Sequence, residues 1–224
     1  MDGILLIDKP KGWTSFDVVA KVRGLIRQST GQKKPKVGHC GTLDPLATGL
    51  LVIVVGSYTK KASELSKKDK TYQVSMKLGE TSSTGDEEGE KEYISDNQPT
   101  KQEVEEVIRG FIGDIDQIPP AYSAVKVNGQ RAYKLARAGK DFILESRIVT
   151  IYEINDIDYH YPIVKFGTTV SSGTYIRSLV EDIGGQLGTG AYMTELQRTH
   201  IGKYYLKDAR SITDDNLLNY LMFT

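Results

Sequence analysis

Asp44 stands inside the run Gly38-His39-Cys40-Gly41-Thr42-Leu43-Asp44-Pro45-Leu46-Ala47-Thr48-Gly49-Leu50-Leu51, whose residue types and spacing suit chemistry. Gly38, Gly41 and Gly49 supply conformations or close approaches that other residues resist, and Pro45 fixes its own φ while turning Asp44 out of the helical region. A carboxylate on so stiff a loop can act as a nucleophile, stabilise an electron-poor centre or accept a proton. An Asp-Pro pair is equally a common turn former or helix cap, so this run alone leaves both readings open. The apolar residues 50–55 behind it read as a buried strand, which sets the loop on a core element.

The elements that must position Asp44 follow from periodicity. Residues 4–7 read as a strand, and residues 15–27 as a helix with Phe16, Val19, Val22 and Ile26 on its apolar face. A short helix is expected over residues 58–66, an alternating half-buried strand over 72–78, and a helix over 100–109 opened by a capping box of Thr100 and Glu103. Asn128-Gly129 reads as a tight turn. Residues 148–159 and 163–171 read as paired antiparallel strands, followed by a helix over 174–187 burying Ile176, Leu179, Val180 and Ile183, and a short final helix over 213–221. With no repeat, low-complexity tract or linker, the pattern predicts one α+β domain over residues 1–224, built on a mostly antiparallel mixed sheet flanked by helices and loops.

The chain has 224 residues, 39% hydrophobic and 26% charged, which suits a soluble globular protein with a sizeable core. The apolar run at 50–55 is far below the roughly 20 residues of a membrane span, and no signal peptide is evident. One cysteine, Cys40, forbids an internal disulfide and points to a reducing cytoplasm, and three scattered histidines offer no metal-ligand spacing. Net charge is zero, yet its distribution is uneven. Lys33, Lys34 and Lys36 precede the Asp44 run, and Lys60, Lys61, Lys67, Lys68 and Lys70 follow it. Any one of them is ordinary solvated surface; together beside Asp44 they read as a phosphate-binding group. Asp86, Glu87, Glu88, Glu90 and Glu92 read as a solvated loop that cancels the total.

The Asp44 run resembles the GHxGTLDPxATGLL motif of the TruB family of pseudouridine synthases, and four further blocks agree in order. Asp8-Lys9-Pro10-Lys11-Gly12-Trp13-Thr14-Ser15 resembles the family's DKPxGxTS block, and Lys70-Thr71-Tyr72 its K-x-Y block. Residues 118–126 (IPPAYSAVK) and 173–179 (GTYIRSL) resemble its later signatures. The resemblance implies a pseudouridine synthase fold and isomerisation of uridine 55 in the T-loop of tRNA. That reaction breaks the N1–C1′ bond, turns the base and joins C5 to C1′, consuming no metal, redox cofactor or ATP. Asp44 takes the catalytic role by this resemblance, and whether it attacks sugar or base, stabilises C1′ or removes a sugar proton stays open. Arg177 is its implied partner. In a first helical turn the dipole disfavours a cation, so an anionic partner would account for it. Tyr72 resembles the tyrosine that stacks on the flipped base and whose hydroxyl assists proton removal. A tyrosine starting a strand is otherwise ordinary core.

His39 resembles the histidine that enters the folded RNA loop. Lys9, Tyr175 and Leu196 match residues near the family's active centre, and Lys36, Lys60, Lys61 and Lys70 are the expected phosphate contacts. Two departures stand out. Cys40 replaces the commoner Thr or Ser and reads as packing rather than a nucleophile, and Gln197 replaces the first arginine of an L-R-R-T block whose second is Arg198. Because family members usually carry a further C-terminal PUA-like RNA-binding domain, the sequence is expected to be the catalytic domain without it. The implied partner is the T-arm of tRNA, with no membrane, no obligatory protein partner and a monomeric state. Two rivals remain: the catalytic subunit of a guide-RNA-directed synthase, and an RNA-folding chaperone or binding module.

Overall fold

The apolar run behind the Asp44 loop forms a strand buried from both faces, and the first strand matches it residue for residue. In the computed structural model, which describes residues 1–223, these are β3 (Thr48–Val55) and β1 (Gly3–Lys9), paired antiparallel with Leu5 opposite Ile53 and Leu6 opposite Val52. Alternate residues point to opposite faces. Leu5, Ile7, Leu51, Ile53 and Val55 therefore join one buried cluster with the helix α1 (Ser15–Thr30), while Ile4, Leu6, Leu50, Val52 and Val54 join a second with Cys40, Leu65 and Ile201. Burial on both faces explains why the run does not alternate in polarity.

Between α1 and β3 lies β2 (Val37–Cys40). A 3-10 turn over Gly56–Lys61 leads into the short α2 (Ala62–Ser66), then β4 (Lys70–Leu78), β5 (Glu80–Ser82) and β6 (Lys91–Tyr93). The chain continues through α3 (Lys101–Arg109), β7 (Gly113–Gln117), the small hairpin β8 (Lys126–Val127) and β9 (Gln130–Arg131), and α4 (Ala132–Arg137). Then come β10 (Arg147–His160), β11 (Ile163–Val170), α5 (Ile176–Gln186), β12 (Ala191–Ile201), β13 (Tyr204–Tyr205) and β14 (Arg210–Ser211).

The chain divides into two compact units, residues 1–73 with 196–224 and residues 74–195, so β4 and β12 run from one into the other. In the first unit the strand order is β14-β1-β3-β12-β4, with β2 on β3. In the second it is β12-β4-β11-β10-β7. The class is α+β with a large, mostly antiparallel sheet flanked by helices, as the periodicity predicts.

Capping is faithful to the sequence. Thr14 and Asp17 close a capping box on α1, and Thr100 and Glu103 close the expected one on α3. Asn128 and Gly129 both take positive φ, the signature of a tight hairpin turn. Three expectations need correction. Phe16 is 64% exposed, because the buried stripe of α1 is Ser15, Val18, Val19, Val22 and Ile26. The final helix is reduced to a 3-10 turn at Leu217–Tyr220, since Ser211 and Asp214 side chains take the N–H groups of Thr213 and Asn216 and hold turns instead. The acidic stretch is not wholly solvated: Asp86 is 4% exposed and organises its own turn, accepting from Thr84 Oγ1 at 2.5 Å and Glu88 N at 3.1 Å.

Candidate active site

In the first unit, three adjacent strands place Lys9, Gly49 and Arg198 in one row, with Lys9 opposite Gly49 and Gly49 opposite Arg198. Only glycine fits the middle position. Its φ is +93°, and a Cβ there would collide with the carbonyl oxygen of Arg198. The two cations flanking it are buried, Lys9 fully and Arg198 to 1% exposure, and both reach the loop that carries Asp44. Lys9 Nζ donates to the carbonyls of Pro10 (3.0 Å), Trp13 (2.6 Å) and Pro45 (3.3 Å). The Arg198 guanidinium donates to the carbonyls of Leu50 (2.9 Å), Thr42 (3.4 Å) and Gly41 (3.0 Å).

Two further ties complete the clamp. Ser15 Oγ donates to Leu43 O at 3.0 Å and accepts from Leu43 N at 2.8 Å, and Gly12 N donates to Pro45 O at 2.8 Å. Asp44 is half-buried at the apex of this loop, its own carbonyl accepting from Ala47 N at 3.1 Å. Residues on either side of the carboxylate are thus fixed from β1, α1 and β12, which is the preorganisation that a reacting group requires. Gly41, at φ +84°, is needed for the turn, whereas Gly38 has no positive φ and a Cβ there would meet only ordinary contact.

The buried cations shape the local electrostatics. Burial brings the Lys9 ammonium down to about 8, against the opposing pull of the Asp44 carboxylate. Burial also lowers the Arg198 guanidinium from its ordinary value, and the Tyr72 hydroxyl works the other way. Tyr72 is 7% exposed on β4. His39, half-buried with Nδ1 lacking a hydrogen-bond partner, is lowered by burial and by the charge of Arg198 and stays neutral near pH 7. Cys40 is fully buried and its thiol is pushed up to about 11, which keeps it protonated and makes it packing. Leu196 is half-buried, its carbonyl accepting from Thr48 Oγ1 at 3.5 Å.

The lysines separate into two kinds. Lys36, Lys60 and Lys61 are exposed, with Lys61 Nζ 4.6 Å from the Tyr58 ring centroid. Lys70 and Lys9 are instead buried. Lys70 is 6% exposed, with Nζ donating to Ser66 O at 2.7 Å and Lys68 O at 2.5 Å; it fastens the turn before β4. Lys9 is spent on the Asp44 loop.

Burial and then the charge of Arg198 lower the Lys70 ammonium from 10.5 to about 8. A folded value below the unfolded one means that Lys70's contribution is present above about 10.5 and lost as pH falls through about 8. Relative to Lys70→Met, the wild type should therefore gain on the order of 2 kcal/mol between about pH 7 and about pH 10. Urea midpoints of the two proteins across that range check it; a constant gap would mean that the ammonium is not desolvated.

In the second unit, Arg177 lies in the first turn of α5 and is 6% exposed. Its Nη1 donates to Thr84 O at 3.0 Å and its Nη2 to Tyr122 O at 3.0 Å, and Nη1 lies 3.7 Å from Asp86 Oδ2. The first-turn position of Arg177 calls for an anionic partner, and Asp86 is one. Tyr175, before the helix, is held by Gln117, whose fully buried amide donates to Tyr175 O at 3.0 Å and accepts from Tyr175 N at 2.7 Å. Among the sequence-predicted residues, Lys9, His39, Asp44, Tyr72 and Leu196 thus belong to the first unit and Tyr175 and Arg177 to the second. Ser15, Gln117 and Asp86 were missed as positioning residues. Only Ser15, closing the Asp8–Ser15 block, carried a signal. No group of three or more His, Cys, Asp or Glu among the described residues could hold a metal, and no helix among them is long and apolar enough to cross a membrane.

The fold is that of the pseudouridine synthases. One solved neighbour, in the crystal structure of a Cbf5-Nop10-Gar1 complex, aligns with a TM-score of 0.72 and 29% identity over 97% of this chain; the chain spans about half, 54%, of that neighbour. The family model for TruB pseudouridylate synthase, N-terminal domain, matches residues 27–176, and that for the tRNA pseudouridylate synthase B C-terminal domain matches residues 177–224. The tRNA pseudouridine synthase B of Parabacteroides distasonis is 45% identical over 204 residues, 91% of this chain and 87% of that protein. Its namesake in Clostridium novyi is 44% identical over 225 residues, 99% of this chain and 76% of that protein. The chain belongs to the TruB family of pseudouridine synthases.

Proposed function

We propose that this chain isomerises uridine to pseudouridine in tRNA, at uridine 55 of the T-loop, acting alone and without a guide RNA. The observation that carries this reading is the clamped loop: Asp44 sits between residues tied down by Lys9, Ser15 and Arg198, within a chain 44–45% identical to two tRNA pseudouridine synthases B. Asp44 supplies the catalytic carboxylate, Tyr72 the aromatic side chain for the base, and Arg177 a catalytic cation. His39, Tyr175 and Leu196 serve substrate binding, with the exposed Lys36, Lys60 and Lys61 meeting phosphates. The reaction balances internally: the N1–C1′ bond breaks, C5–C1′ forms, C5 gives up its proton and N1 gains one.

The likeness to a chain solved within a multiprotein complex, Cbf5-Nop10-Gar1, keeps the guide-RNA-directed reading as the second one, at 29% identity against 44–45% for the tRNA enzymes. The two are separated by incubating the purified protein alone with an unmodified tRNA transcript and mapping pseudouridine by reverse-transcription stops. One new pseudouridine in the T-loop is expected. Modification that appears only when a guide RNA is added would overturn the reading.

A further inference from the structure

At the start of α5, Arg147 lays its guanidinium over the ring of Tyr175, 4.9 Å from the centroid. Its Nε and Nη2 are buried and meet no hydrogen-bond partner. These two N–H groups form one edge of the guanidinium plane, the side-on fork that grips two oxygens of an oxyanion through parallel bonds. The surrounding residues leave that edge unanswered. Gln117, opposite Arg147 in the β7–β10 register, has committed both ends of its amide to the Tyr175 backbone. The first turn of α5 offers neither an acidic residue nor a side-chain cap. Gly173, at φ +94°, lies beside the guanidinium, where a Cβ would come to 4.0 Å from Nη1. A buried charged donor without a partner is costly, and a ligand that completes it accounts for the cost.

We propose that Arg147 is a phosphate anchor for the substrate RNA: its Nε–Nη2 fork, covered in the free chain, is uncovered as the RNA docks and takes two non-bridging oxygens of one backbone phosphate in the T-loop, while the Tyr175 ring holds the guanidinium plane in place. The inference rests on the tRNA reading above. It assigns to Arg147 an interaction with substrate that is separate from the exposed lysines, because the fork is rigid and partly desolvated, whereas lysines act as mobile point charges.

The test uses a T-arm stem-loop RNA and the full chain. Arg147→Met keeps the apolar stem over Tyr175 and removes the fork; Arg147→Lys keeps the charge and removes only the fork. Binding to Arg147→Met should weaken by about ten- to a hundredfold, and the slope of log affinity against log salt should flatten by about 0.7, the release of one phosphate contact in a single strand. Arg147→Lys should recover the salt slope and only part of the affinity. A scan with single neutral methylphosphonates should find one T-loop position that costs the wild type about tenfold or more and costs Arg147→Met little. Unchanged affinity and salt slope in Arg147→Met, beside a wild type that converts the stem-loop, would overturn the anchor and leave the tRNA reading standing. A methylphosphonate scan of the wild type with no sensitive position would overturn it whatever the variants do. A wild type that neither binds nor converts the stem-loop would sink both.

Discussion

Replacing Asp44 with asparagine is expected to lower single-turnover pseudouridine formation by about four powers of ten or more, the usual scale for losing one essential group. RNA binding should stay within a few-fold. The amide keeps the side-chain outline and the loop keeps its ties, because Lys9, Ser15, Gly12 and Arg198 all bond backbone atoms of neighbouring residues and none of these bonds uses the Asp44 side chain. That separation lets the experiment distinguish chemistry from folding: the variant should keep a cooperative melting transition, lowered by the loss of the carboxylate's pull on the Lys9 ammonium. A single-turnover assay on a T-arm transcript beside a binding titration decides the matter, and residual activity within tenfold of wild type would remove Asp44 from the catalytic role.

Arg198→Leu should have the largest effect on stability. Its three carbonyl partners, on Gly41, Thr42 and Leu50, would be left without these donors, at about 1–3 kcal/mol for each buried group. Removing the charge itself relieves part of its desolvation cost, which partly offsets that loss. A net destabilisation of about 3–4 kcal/mol corresponds to a Tm lowered by roughly 10 °C in a chain of this size. Arg198→Lys should recover only a fraction, since one ammonium cannot span carbonyls on both sides of the loop as a planar guanidinium does. Activity measured well below the melting transition should also fall, because the loop bearing Asp44 loses its attachment to β12. A Tm within 2 °C of wild type would mean that water or a neighbouring group replaces those bonds at little cost.

The elements read best from sequence were those governed by local rules. The capping boxes of α1 and α3, the Asn128-Gly129 turn and the antiparallel pairing of β10 with β11 each depend on residues close in the chain or on strand periodicity. Errors arose where side chains competed with the backbone or where an apolar residue had no cover. Phe16 is such a case, and the shortened final turn at Leu217–Tyr220 is another.

The residue types at the site were likewise legible, since Asp44, Tyr72, His39 and Arg177 fall in motifs that carry the family resemblance. Their surroundings were not. An exposed lysine and a buried one look alike in sequence; only the folded chain shows that Lys36 is exposed while Lys9 and Lys70 donate hydrogen bonds to carbonyls. In sequence Arg198 reads only as the second arginine of an L-R-R-T block, and the row Lys9–Gly49–Arg198 that makes it a clamp exists only because β1, β3 and β12, far apart in the chain, lie side by side. The same holds for Asp86 against Arg177 and for Arg147 over Tyr175. Sequence by itself determined the candidate chemical groups and the local elements, because those follow from side-chain chemistry and short-range periodicity. Which cations are buried, which backbone groups they hold and which donors remain unanswered were decided by long-range strand register, which brings together residues that no local pattern relates.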